Sequence, residues 1–79
     1  MSNEIKLKNI FIETLGVEEE KITDNLTYNS IAEWDSVAHM ALVAEIDDNF
    51  DIMMDTDDVI DLSSFKKAKE ILTKYGIEF

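Results

Sequence analysis

The sequence predicts an all-α protein: a small four-helix bundle of three main helices and one short helix, with a long ordered loop between the first two. Three observations favour this fold. Apolar residues recur at intervals of three and four residues along much of the 79-residue chain. No segment alternates polar and apolar residues with the period of two that is typical of strands. Proline, which breaks helix interiors, is absent.

The first helix is predicted over residues 3–15, because Ser2 is a suitable N-cap and Gly16 is typical of a helix end. Its apolar positions are Leu7, Ile10, Phe11, Thr14 and Leu15. The segment 18–34 that follows is rich in turn-forming residues and is predicted to be a loop. We expect it to be ordered by apolar anchors, namely Ile22, Leu26, Tyr28 and Ile31. A loop this long in a small domain is often functional.

The second helix is predicted to begin at Asp35 or Ser36, both good N-caps, and to end within residues 49–51. Its apolar residues follow the helical period. We expect an inward stripe made of Val37, Met40, Ala41, Ala44, Ile46 and Phe50.

A short helix, capped by Asp55 or Thr56, is predicted to run through Val59 and Ile60. The last helix follows at once and ends at Gly76. Its cap is Ser63 or Ser64, and its inward residues are Phe65, Ala68, Ile71, Leu72 and Tyr75.

Length and composition limit the functional classes. The chain is long enough for one domain, residues 1–79, and has no cysteine for a disulfide or a thiolate metal site. A formal charge of −11 disfavours nucleic acid and anionic membranes as partners. No signal peptide or membrane-span pattern is present in the sequence, so we expect a cytoplasmic protein. The position of Met1 suggests a free-standing domain.

The acidic residues are concentrated in one part of the chain. Ten of them, and no lysine, lie within residues 33–61. Such a run can simply be a solvated face that keeps the protein soluble. It can also be a docking surface for partners with basic surfaces.

The most informative motif is Trp34-Asp35-Ser36-Val37, at the predicted start of the second helix. A helix start has unpaired N–H groups and a partial positive charge, which favour a phosphodiester on Ser36. Asp35 offers a negative contact to a modifying enzyme, and Trp34 offers an apolar one. The alternative is that Asp-Ser is only a helix cap.

From Asp35 onward the string DSVAHMALVAEIDDNFDI resembles the acyl carrier protein family, in which Asp-Ser followed by a hydrophobic residue opens an acidic helix. The resemblance extends over essentially all 79 residues. The apolar positions that fall where this family places its core are Ile46, Phe50, Ile52, Met54, Val59, Leu62, Phe65, Ala68 and Ile71.

The resemblance implies a monomeric carrier rather than an enzyme. A phosphopantetheinyl transferase would use magnesium to move the 4′-phosphopantetheine group of coenzyme A onto Ser36. The arm would then hold an acyl or aminoacyl group as a thioester. Partner enzymes with basic surfaces would dock on side chains around this serine and along its helix: Trp34, Asp35, Val37, Glu45, Asp47 and Asp48.

Some positions differ from the pattern of fatty-acid carriers. Ala38 and Ala41 stand where those carriers often have acids, and a Trp before Asp-Ser resembles carriers of specialised pathways. Asn29 suggests small or polar cargo, with Tyr28 closing one end of a cargo pocket. The expected lining of that pocket is Met54, Ile46, Val59, Leu62 and Ala68.

Two other readings are open. A small calcium-binding or protein-interaction module is suggested by EF-hand spacing at Asp47, Asn49, Asp51, Asp55 and Asp58, although Ile52 stands where the calcium loop needs glycine. A hydrolase is suggested by Ser36 and His39, three residues apart on one helix. Because nothing in the sequence orients His39, we expect it to be an exposed helix residue. We also predict no metal site.

Overall fold

The computed structural model describes residues 2–79 and confirms the predicted all-α architecture. The helices are α1 (Asn3–Leu15), α2 (Ser36–Phe50), α3 (Thr56–Asp61) and α4 (Phe65–Lys74). Within residues 2–79 no strand forms, and the isolated bridge pair is Thr27 with Ser64. No helix in this part of the chain is both long and apolar enough to cross a membrane.

Helix α1 has the predicted bounds because both of its ends are capped as the sequence indicates. The Ser2 hydroxyl accepts a hydrogen bond from the Ile5 N–H at 3.2 Å. At the other end Gly16 has φ of 68°, the left-handed conformation that favours glycine, and its N–H donates to the Ile12 carbonyl at 2.9 Å. The face buried between these caps consists of Leu7, Ile10, Phe11 and Leu15.

The loop between α1 and α2 is ordered by contacts with the start of α4. After a short 3₁₀ turn (Glu19–Lys21), the side chains of Ile22 and Leu26 are buried. The Tyr28 N–H donates to the Ser63 carbonyl at 2.8 Å, and the Phe65 N–H donates to the Leu26 carbonyl at 3.0 Å. These backbone bonds tie the middle of the loop to the start of α4.

The inward face of α2 differs from the prediction. Ile46 and Phe50 are buried as expected, together with Leu42 and Val43. The other four members of the expected stripe are exposed, including Val37 at 79% and Met40 at 58%. The prediction was wrong for them because apolar residues surround the first half of α2, so periodicity alone cannot choose the face that α1 covers.

The interior combines α1, α2, α4, the end of the loop and the connection between α3 and α4. Its largest fully buried side chains come from every one of these segments, so the loop is part of the core. They are Trp34, Phe11, Phe65, Leu7, Leu42, Ile46, Leu62 and Leu72.

Helix α3 is held differently from the others, since its buried side chain is the carboxylate of Asp58. Lys74 donates to Oδ1 of this carboxylate, and the Tyr75 hydroxyl donates to Oδ2 at 2.7 Å. The same hydroxyl accepts from the Asp55 N–H at the start of α3, at 2.9 Å. The hydrogen bond from Lys74, and next that from Tyr75, lower the pKa of Asp58. We call these three residues, Asp58, Lys74 and Tyr75, the α3 latch.

Candidate functional site

The site is the start of α2, where Ser36 is the first helical residue and is exposed. The residue before it has extended backbone, and its side chain caps the helix: Oδ1 of Asp35 accepts from the Ala38 N–H at 2.8 Å. The cap that this helix requires is therefore Asp35. Ser36 is not needed for capping, which removes the purely structural explanation of its position.

The surroundings of Ser36 suit a phosphate ester. It begins a helix of 15 residues, whose aligned peptide dipoles give the N-terminus a partial positive charge. Unpaired N–H groups of a first helical turn are also donors for phosphate oxygens. A phosphodiester on an exposed hydroxyl at this place stays accessible to solvent and to other proteins.

Trp34, which we predicted to contact a modifying enzyme, is instead fully buried, and the prediction is wrong. The backbone before it curls back: Asn29 has φ of 67°, and its N–H donates to the Trp34 carbonyl at 3.2 Å. This turn directs the indole ring into the bundle, edge-on to Phe11 at 5.4 Å between ring centroids. Asparagine adopts the left-handed conformation more readily than most residues, so the role of Asn29 here is to form this turn of the backbone.

His39 is not the exposed, unoriented residue that we predicted. It is half-buried, and its Nδ1 accepts a hydrogen bond from the Trp34 indole N–H at 3.1 Å. Its Nε2 lies 2.8 Å from the Val59 carbonyl oxygen, which can only accept, so this nitrogen carries the proton. Both ring nitrogens are thus occupied. No nitrogen is left to take a proton from Ser36, and the hydrolase reading loses its base.

The predicted acidic docking residues fall into two groups. Glu45 and Asp48 are exposed on α2. Asp47 is half-buried, and its Oδ1 accepts from the Met54 N–H at 3.2 Å, while Asp35 uses one oxygen as the helix cap. Glu45 and Asp48 are therefore the exposed acids of this set that do not bond to the backbone around the helix.

The calcium-loop reading fails at its twelfth position. Asp58, which would supply the final ligand, belongs to the α3 latch and is engaged by Lys74 and Tyr75. Across residues 2–79, no three His, Asp or Glu side chains are arranged to hold a metal ion.

Apolar side chains are exposed close to Ser36: Val37, which was predicted to be a docking residue as well as a member of the inward stripe, and Met40, which was assigned to the stripe alone. Val37 and Met40 lie on the first turns of α2, and Ile60 of α3 is 74% exposed. Isolated apolar side chains on a surface are ordinary, but a group of neighbouring ones is typical of a contact surface. The available signal was the excess of apolar residues on α2 over what one buried face needs.

Comparison with known proteins agrees with this geometry. A family model described as the phosphopantetheine attachment site matches residues 6–72. An acyl carrier protein of Karelsulcia muelleri (strain GWSS) is 33% identical over 75 residues, which cover 92% of this chain and 90% of that protein. These matches assign to the chain a covalent 4′-phosphopantetheine group and a carrier role. The chain belongs to the acyl carrier protein family.

Proposed function

We propose that Ser36 bears the 4′-phosphopantetheine arm and that the protein shuttles acyl or aminoacyl thioesters between enzymes of a specialised biosynthetic pathway. The observation that carries the proposal is the exposed Ser36 at the first position of α2, already capped by Asp35, inside the matched segment 6–72. In this proposal the protein is a single-domain cytoplasmic monomer and is itself the substrate of a phosphopantetheinyl transferase.

The residues present fit the group. Ser36 supplies a hydroxyl, and its Oγ forms a bond to the phosphorus of the arm in coenzyme A. The bond from that phosphorus to the nucleotide part of coenzyme A breaks, and the hydroxyl proton passes to a base of the transferase. Once bound, the arm supplies a terminal thiol for thioesters. The role of Ser36 afterwards is to anchor the arm at an exposed helix start.

The attachment site is tested with coenzyme A, magnesium and a promiscuous phosphopantetheinyl transferase. We expect intact-protein mass spectrometry to show the gain of one arm on the wild type and no gain for Ser36→Ala. Ser63→Ala is the matched control, because Ser63 is also an exposed serine close to a helix start, and it should gain the arm normally. An unmodified wild type under several transferases, or a modified Ser36→Ala, would overturn the proposal.

We also propose that partners dock on α2, where the exposed apolar side chains of Val37 and Met40 are accompanied by exposed carboxylates on Glu45 and Asp48. The matching partner surface has an apolar centre and basic residues at its edge. Attraction between these carboxylates and the basic residues of a partner acts at long range, so it speeds association and is weakened by salt.

The same arm-transfer assay tests this docking surface. Glu45→Lys and Asp48→Lys should lower the transfer rate at low salt, and their difference from wild type should shrink as salt is added. Glu20→Lys is the control, since Glu20 is an exposed acid in the 3₁₀ turn and gives the same change of charge. An equal loss for Glu20→Lys would show that only net charge matters.

Dedication to a specialised pathway is supported by the apolar character of this face. Ala41 is exposed and Ala38 is half-buried, at positions where fatty-acid carriers often have acids. Mass spectrometry of the protein from its own cells should identify the cargo, and a long saturated fatty acyl chain as the main cargo would contradict this part of the proposal.

A further inference from the structure

The space immediately inside the start of α2 is filled by the Trp34 ring, which has no exposed surface. It meets Phe11 and Tyr28 edge-on, at centroid distances of 5.4 and 6.0 Å, and lies nearly parallel to the His39 ring, with 19° between the planes. Protein interiors are packed as densely as organic crystals, so a ring held on several sides leaves no room for a second apolar group. Any molecule entering the bundle here must first displace Trp34.

His39 closes the gap between α2 and α3. In a longer helix, the Val59 carbonyl would accept a hydrogen bond from the backbone N–H four residues later. Helix α3 ends at Asp61, so this carbonyl has no helical donor. His39 on α2 donates to this carbonyl from Nε2 at 2.8 Å, and its Nδ1 accepts from Trp34 at 3.1 Å. We call this chain of contacts, from the Trp34 indole through the His39 imidazole to the Val59 carbonyl, the indole–imidazole bridge.

A shallow cleft lies on the outer side of the bridge. It has a volume of about 200 Å³ and is lined by Tyr28, His39, Ile60, Leu62 and Ser63. Its lining is mainly apolar, and hydroxyl groups stand at Tyr28 and Ser63. His39 is one helical turn from Ser36, and side chains with this spacing are roughly 5–6 Å apart at Cβ. The cleft therefore begins about one helical turn from Ser36, within reach of a group tethered to that serine.

We propose that the indole–imidazole bridge determines which cargo this carrier shelters, an inference that rests on the proposed attachment of the arm to Ser36. The bridge excludes acyl chains from the bundle interior. Short acyl groups at the end of the arm are held in the outer cleft, and long chains stay in solvent. The cleft shares Tyr28 and Leu62 with the pocket expected from the sequence, but Met54, Ile46 and Ala68 are buried and do not line it.

Two features of the structure support a fixed barrier rather than a loose gate. Each ring nitrogen in the bridge has a partner, and no buried side-chain nitrogen or oxygen in residues 2–79 lacks one. Opening the gap would break both hydrogen bonds of His39 and leave the indole N–H unpaired among apolar neighbours, which is costly.

The test compares the arm carrying a butyryl group with the arm carrying a dodecanoyl group, each loaded from its coenzyme A thioester and verified by mass. On wild type we expect the butyryl group to shift the amide resonances of Tyr28, Ile60 and Ser63. The dodecanoyl thioester should be cleaved by hydroxylamine as fast as the free pantetheine thioester. Protection of the dodecanoyl thioester, with shifts at Ile46 and Met54, would overturn the inference, as would the absence of any butyryl shift in the cleft.

Variants of the bridge make the test stricter. His39→Leu removes both hydrogen bonds and puts an apolar side chain of similar size in place of the imidazole. Trp34→Phe removes the indole N–H and some volume. In either variant we expect the dodecanoyl thioester to become several-fold slower to cleave, because the chain can now enter the bundle. Met53→Leu is the control, since Met53 is 86% exposed and belongs neither to the bridge nor to the docking surface on α2, and it should behave as wild type.

The outcomes distinguish the two proposals. If Ser36 never gains the arm, the proposed function fails and no loaded protein exists to examine. If loading succeeds but folded His39→Leu and Trp34→Phe both leave the dodecanoyl thioester as reactive as in wild type, the bridge is not the barrier. The wild-type comparison of the two chain lengths decides the matter should either variant fail to fold.

Discussion

Helices α1 and α3 are held in the same small bundle by different forces. Helix α1 has 13 residues and buries four large apolar side chains. Helix α3 has six residues, and the side chain that it buries is the carboxylate of Asp58. Short helices have little stability of their own and depend on tertiary contacts. Packing therefore fixes α1, whereas α3 is held by the α3 latch on one side and by His39 on the other. The second arrangement can be released without dismantling the core.

The largest effect that separates the two helices is expected from truncating one apolar side chain in each. Phe11→Ala in α1 removes a fully buried ring, and we expect a loss of about 3–5 kcal/mol in the free energy of unfolding. Ile60→Ala in α3 removes a side chain that is 74% exposed, and we expect a change within about 0.5 kcal/mol. Urea denaturation followed by circular dichroism measures both. Similar losses for the two variants would show that α3 is also held by packing.

A smaller, local effect is expected from breaking the α3 latch. Asp58→Asn keeps the shape of the side chain but removes the charge that binds Lys74, so we expect the melting temperature to fall by several degrees. Amide exchange should accelerate in α3 and change little in α1. Asp57→Asn is the control, because Asp57 is an exposed acid next in sequence and loses the same charge. If the two variants behave alike, the latch contributes nothing beyond its net charge.

Acid should abolish this difference between wild type and Asp58→Asn. The hydrogen bond from Lys74, and then that from Tyr75, lower the pKa of Asp58 in the folded protein. In the unfolded protein, an Asp side chain has a pKa of about 4. The carboxylate therefore contributes its full stability above that pH, and the contribution is lost as the pH falls through the lower folded pKa. The gap in melting temperature should be constant near neutral pH and close in stronger acid. A gap that widens in acid would contradict the assigned charge state.

The sequence was sufficient to predict features that depend on local chemistry. The bounds of α1 follow from the Ser2 cap and the left-handed Gly16, and the start of α4 follows from the Ser64 cap, whose hydroxyl accepts from the Lys67 N–H at 2.9 Å. Each is decided within a few residues of the chain. The Asp-Ser motif at the start of α2 belongs to the same class, so the candidate site could be located before its surroundings were known.

Features that depend on distant contacts could not be predicted in this way. The face of α2 that is buried is chosen by its neighbours in the bundle, and the excess of apolar residues on α2 leaves two faces equally plausible. The position of Trp34 depends on the left-handed turn at Asn29, a choice that asparagine permits but does not require. The orientation of His39 depends on a hydrogen bond to the Val59 carbonyl, twenty residues away, which has no helical partner because α3 is short.

The smallest expected effect is that of salt, and it should act mainly on α3. Asp55, Asp57 and Asp61 are exposed around α3, whereas the acids of α1 are interspersed with Lys6 and Lys8. Sodium chloride at about 0.1 M screens exposed charges beyond a Debye length of roughly 10 Å. Repulsion among these carboxylates should therefore weaken, raising the melting temperature slightly and slowing amide exchange more in α3 than in α1. Asp57→Asn should reduce this response because it removes one of the repelling charges. A melting temperature that falls with salt would instead mean that the attraction in the α3 latch outweighs the repulsion around it, since salt weakens both.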